Sequence, residues 1–198
     1  MTDYELSSLL GEAQAAIGAD GELPSARRRR IWQVFVDRMG VDAAARAWGQ
    51  VQVACAHRAW PIWQATFPDE DEPMAVLLSV EKRVAAGRAN GHAEARIGKL
   101  KAYLDDKFPL GREYFAGIYA GFGCFAAASD LLHRREPPNG NELEVDPIEW
   151  DASFFASLAH TGGAVWEEDG DPEARRAYWQ WFLTDPVPRF GPREADGH

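Results

Sequence analysis

The sequence predicts an all-α fold: a single-domain bundle or array of αα hairpins, about seven or eight helices around a central helix rich in glycine, alanine and aromatic residues. Three observations lead there. Apolar residues recur at helical spacing almost throughout, and no run of alternating β-branched residues offers a strand. Glycine and proline punctuate the pattern, leaving short connections that favour antiparallel neighbours. Hydrophobic residues make up 46% and aromatic residues 12% of 198 positions, enough to bury one substantial core. No repeat of fixed period is evident, which disfavours a regular solenoid.

The elements follow in order. A first helix is expected over about 2 to 17, ended by "GADGELP". A second runs from Ser25 to Met39 with Ile31, Val34, Phe35 and Met39 inward and Gly40 as its stop. Asp42 is placed to cap a third, which carries Trp48, Val51 and Cys55 until Pro61 kinks or breaks it. Pro73 suits a first helical turn, followed by the inward stripe Met74, Leu77, Leu78 and Val84. "RANGH" separates this from a helix at about 92 to 106, and "PLGREYFAGIYAGFGCFAAASDLLH" reads as one long helix. After the turn-rich "REPPNGNELEV", Asp146 with Pro147 opens a seventh, Glu149 holding the capping-box position. Asp171 with Pro172 opens the last, which Pro186 ends.

The central helix divides by size. At about 100° per residue, Phe115, Ile118, Tyr119, Phe122 and Phe125 share one arc, and Ala116, Gly117, Ala120, Gly121, Gly123, Cys124, Ala127 and Ala128 fill the other side. Each interior glycine costs roughly 1 kcal/mol relative to alanine, so another helix is expected close against the small face. In the last helix, Tyr178, Trp179, Trp181 and Phe182 spread too widely for one inward stripe, so at least one ring must be covered by a neighbour or face a partner.

Composition narrows the function. A formal charge of −10, from 31 acidic and 21 basic side chains, opposes a grip on nucleic acid and favours a basic partner. Cys55 and Cys124 lie far apart in apolar surroundings and read as reduced core thiols of a cytosolic protein. The N-terminus has acids where a signal peptide needs bases, and the most apolar run, 114–128, falls short of the roughly 20 residues that cross a bilayer.

Catalytic signatures are absent: there is no "GxxxxGK", "GxSxG" or "HExxH", and "EEDGDPEARRAY" lacks the ligand order of a calcium loop. His57, Asp130, His133 and His160 remain as a set that facing helices could gather round a metal, the alternative reading being a metal-dependent helical-bundle enzyme. Arg27 to Arg30 cannot share one helical face, so some are expected to pair with the protein's own carboxylates. From 136 to 173 stand eleven acids and no lysine or arginine: Glu136, Glu142, Glu144, Asp146, Glu149, Asp151, Glu167, Glu168, Asp169, Asp171 and Glu173. Caps use some of these; the rest are either simply solvated or form a negative field that speeds encounter with a positive protein.

Three stretches, "YAGFGCFAAASDLL" at 119–132, "DPIEWDASFFASLAHTGGAVWE" at 146–167 and "ARRAYWQWFLTDPVP" at 174–188, together resemble an all-α family of immunity proteins from bacterial polymorphic toxin systems. On that likeness 41–190 is a family-like core, 1–40 holds N-terminal helices outside it, and 191–198 is a flexible tail. The resemblance implies a cytoplasmic, non-enzymatic antidote without cofactor, encoded beside a toxin whose domain it binds and blocks. It transfers no role to a particular residue. The charge pattern does: Glu142, Glu144, Glu167, Glu168 and Asp169 are expected to contact or steer a basic toxin, such as a nuclease, with Trp166 as an anchor and Trp179 and Trp181 as further anchors or core rings. A structural subunit of a larger helical assembly is a third reading.

Overall fold

The computed structural model describes residues 4–88, 91–134, 136–137, 146–163 and 170–192, and the segments that cross or frame the core are helical. They are α1 (Tyr4–Ala15), α2 (Ser25–Met39), α3 (Val41–Thr66), α4 (Glu72–Ala85), α5 (Gly91–Asp105), α6 (Phe115–His133), α7 (Ala152–Thr161), α8 (Pro172–Thr184) and the short α9 (Pro186–Phe190). Single 3-10 turns lie at Phe108–Leu110, Arg112–Tyr114 and Pro147–Glu149. The all-α expectation holds.

α6 is the axis, packed against α3, α4, α5 and α7, while α2 and α9 flank α3, and α8 packs on α7, α9 and α1. The small face of α6 has the close neighbours its glycines imply. A Cβ on Gly117 would sit 2.6 Å from Thr66, and one on Gly121 would sit 2.6 Å from both the Trp63 ring and Leu104. α3 reciprocates at Gly49, whose Cβ would meet Leu131 at 3.0 Å. Residues 112–133 are apolar and long enough to cross a bilayer, longer than the 114–128 run suggested, and 78% of that stretch's most apolar window is buried inside the bundle.

Six local expectations are corrected. Leu78, expected in the inward stripe of α4, is exposed, and Pro186, expected to end the last helix, opens α9 beyond it. α3 runs unbroken through Pro61 to Thr66. A mid-helix proline costs about 3 kcal/mol or more, but the turn beyond it carries Trp63, which is fully buried and tilted against Phe67 at 4.6 Å. Its indole donates to the Glu70 carbonyl at 2.5 Å, and tertiary packing wins. Gly40 holds the N-cap of α3, while Asp42 pairs instead with Arg134 at 2.6 Å. α6 begins only at Phe115, because Gly111 takes φ +127 and the chain before it makes 3-10 turns. Asp146 caps only the turn Pro147–Glu149; the cap of α7 is Asp151, which accepts from the Phe154 amide at 2.8 Å.

Asp171 caps α8 as its sequence predicts, accepting from the Glu173 and Ala174 amides at 2.9 and 3.0 Å. Against the start of that helix lies Gly21, with φ +79, where any Cβ would run into the Pro172 carbonyl. The 18–24 loop is thereby held on α8.

Candidate functional site

The aromatic face of α6 is incompletely covered. Phe122 and Phe125 are buried, but Phe115 and Tyr119 are only partly so. Beside them, between the end of α5 and the turns Phe108–Leu110 and Pro147–Glu149, lies an open groove of about 400 Å³. Its floor is a set of interlocked rings: Phe122 stacks on Phe155 at 5.3 Å, Phe108 leans on Phe122 at 5.6 Å, and Trp150 meets Phe155 at 5.5 Å. Ile148, 44% exposed, stands on one wall. Asp105, Asp146 and Lys101 form the rim, and Lys101 is tied to Asp105 at 2.6 Å. Asp146 fixes the Ile148 wall by accepting from the Ile148 amide at 2.9 Å. Apolar rings with carboxylates at the edge suit recognition of a partner's side chain.

Buried ionic contacts set the position of α7, and with it that wall. Arg28 of α2 reaches Asp151 at 3.1 Å with both side chains almost wholly buried, and also donates to Ser153 Oγ at 3.2 Å. Ser153 donates to Asp151 at 2.6 Å, and its amide donates to Gln52 of α3 at 2.8 Å. The guanidinium lies over the Trp179 ring at 5.0 Å. One aspartate thus caps α7 and neutralises Arg28. Nearby, Arg175 of α8 holds the Asp20 and Gly163 carbonyls at 3.0 and 2.9 Å, with Glu22 at 3.6 Å. Burial pushes the Glu22 carboxyl up to about 7, against the opposing pull of Arg28 and Arg175.

Two of the other three arginines of the basic block pair with a carboxylate, as expected. Arg27 and Arg30 both approach Glu12 at 3.5 Å, and Arg29 donates to the Pro137 carbonyl at 2.7 Å. Of the aromatic cluster in α8, Tyr178, Trp179 and Phe182 are buried. Trp181 is the outlying ring, covered by Arg58 at 5.1 Å and bonded to Asp185 at 3.0 Å.

Glu142, Glu144, Trp166, Glu167, Glu168 and Asp169 lie outside the described residues. His57, Asp130, His133 and His160 are described and do not converge: among the described residues no group of three or more histidine, cysteine or carboxylate side chains is placed to hold a metal. His160 stacks on Tyr178 at 5.3 Å, and burial, reinforced by the Arg58 charge, lowers its imidazole to about 4. His57 instead faces a groove with Arg58 and Trp181, Asp130 is buried in α6, and His133 is exposed in its last turn. Both thiols are buried and free, with Cys124 pushed up to about 12 and Cys55 also raised by burial. Neither suits a nucleophile.

The sequence did not mark Ile148 or Asp105 as lining this groove, or reveal the Arg28–Asp151 pair. The apolar Ile148 inside the polar "DPIEW" turn is the signal that could have marked the wall. The ion pair joins residues 123 positions apart and left no local sign.

A sequence model of the family described as immunity protein Imm5 matches residues 11–189. The match starts within α1 and ends within α9. The curated proteins contain no match to the chain.

Proposed function

The chain belongs to the immunity protein Imm5 family, and from that premise we propose that it is the cytoplasmic antidote to one cognate toxin of a bacterial polymorphic toxin system. It binds the toxin domain stoichiometrically, without catalysis, and blocks it. The family match carries this reading, and the charge distribution supports its electrostatic part.

The formal charge is −10, and the 136–173 stretch contributes eleven of the acids with no lysine or arginine. Among the described residues the fold uses three of them: Asp146 and Asp171 as caps, and Asp151 as both a cap and the partner of Arg28. Glu136, Glu149 and Glu173 are exposed. On this reading Glu142, Glu144, Glu167, Glu168 and Asp169 complete a negative surface, with Trp166 as an apolar anchor. The partner is then a basic protein, such as a nuclease, whose phosphate-binding surface is positive. A field of this kind raises association rates roughly 10–1,000-fold at low salt. The antidote itself contacts neither nucleic acid nor membrane.

Growth of cells expressing the toxin domain encoded by the adjacent reading frame, with and without this chain, tests the activity. Rescue is expected; continued killing at matched expression contradicts it. Replacing Glu167, Glu168 and Asp169 with lysine should slow association strongly at low ionic strength and much less at high. An on-rate indifferent to both charge and salt removes the acidic surface from the account.

A further inference from the structure

The groove on the aromatic face of α6 is preformed, apolar and walled by the exposed Ile148. We propose that it is the docking pocket for the toxin, and that it seats an apolar or aromatic side chain flanked by a lysine or arginine. This assignment rests on the immunity reading and gives it a site.

Among the described residues, charge separates this groove from three other grooves. The groove between α3, α4 and the end of α6, about 730 Å³, carries Arg46, Lys82 and Arg134 against Glu81 and the Asp42 that pairs with Arg134, a net positive lining. A third, of about 460 Å³, carries Arg58, Arg189 and His57 against Asp185, and a fourth is lined by Lys82, Arg83 and Arg88. Each would repel a basic partner. The aromatic groove instead has two carboxylates and one lysine on its rim, and that lysine is paired with Asp105. Asp106 and Glu149, both exposed, lie beside the rim residues in sequence and strengthen the negative edge.

The floor is equally suited. Phe122, Phe125, Trp150 and Phe155 are already buried and locked by ring contacts, so seating a side chain on them orders little that is mobile. Interfaces concentrate their binding energy on such desolvated central pockets surrounded by a polar rim. Ile148 can be changed without opening the core, because its side chain projects from a capped turn and not from a packed helix.

The test uses the purified toxin domain of the adjacent reading frame as the probe and measures binding kinetics to the full chain. Ile148→Glu should raise Kd about thirty-fold or more, chiefly through faster dissociation. Asp105→Lys should slow association at low salt. Leu78→Glu, at a 49% exposed position on the α3–α4 side, should change neither. Hydrogen exchange on the unmodified complex gives a second readout, with protection expected at the amides of 106–108, 110, 146 and 148–150. Tight binding by Ile148→Glu, or no protection there, overturns the groove assignment and leaves the immunity reading standing. An unmodified chain that fails to bind the toxin domain retires both. An unmodified chain that sediments as a dimer, and as a monomer when it carries Ile148→Glu, makes the groove a contact between two copies and also overturns the assignment.

Discussion

Replacing Gly121 with alanine tests the packing of the central helix, since the same chemical change has opposite expected signs at two helical glycines. In α5, Gly98 is exposed with open space where a Cβ would go. Gly98→Ala should therefore gain the propensity difference, roughly 1 kcal/mol. In α6, a methyl on Gly121 meets the Trp63 ring and Leu104 simultaneously at 2.6 Å. Both neighbours are fully buried, and Trp63 is further held by its indole bond to Glu70 and by ring contacts with Trp60 and Phe67. Overpacking costs about 1–3 kcal/mol, and simultaneous contacts on a buried ring and a buried leucine place this site in the upper part of that range, about 2–3 kcal/mol; less the propensity gain, the net loss is roughly 1–2 kcal/mol. For a chain of this size that corresponds to a fall in Tm of about 2–8 °C. Parallel thermal and urea denaturation of the two variants is the assay. If Gly121→Ala matches or exceeds the stability of the unmodified chain, the close approach of α3 and α5 to α6 is wrong.

Asp151→Ala removes the α7 cap and leaves Arg28 without its carboxylate, so urea unfolding should show a loss of about 3–5 kcal/mol; a loss under 1 kcal/mol contradicts the buried pair. Glu22 carries its proton more tightly in the folded chain, at about 7 against the ordinary 4.5. Its contribution to stability is therefore fully present below 4.5 and is lost as pH rises through 7, by an amount on the order of 3 kcal/mol. Glu22→Gln should remove that slope, stabilising the protein at pH 8 relative to the unmodified chain, and parallel pH profiles would count against it. Cys55 and Cys124 should resist thiol reagents at pH 8 in the native protein and react fully in denaturant, with rapid native labelling contradicting their burial.

Helix identity was legible because local and tertiary preferences agree. Pro73 and Asp171 sit where the helix starts they favour occur, and the division of α6 into large and small faces anticipated which side the neighbours approach. Where the two preferences disagreed, the local rule lost. Pro61 is tolerated because Trp63 and Phe67 are packed beyond it. Of two aspartates near the start of α7, the cap is the one that also meets Arg28 across the core, a choice no local pattern encodes. The candidate site was less legible for a related reason. An amphipathic pattern says that the aromatic face of α6 needs cover, but whether neighbours complete that cover depends on the lengths and angles of α5 and α7. Charge surplus was visible as composition, whereas the pairing of Arg27, Arg28 and Arg30 with Glu12 and Asp151 required the fold.

On the proposal made above, this member of the Imm5 family acts by binding a toxin. Titration calorimetry of the purified chain into the toxin domain of the adjacent reading frame, with residual toxin activity read at each point, tests it most directly. A 1:1 end point is expected, at which activity disappears in step with complex formation. Activity that persists at saturation, or is lost at substoichiometric amounts of the chain as a catalyst would achieve, contradicts it.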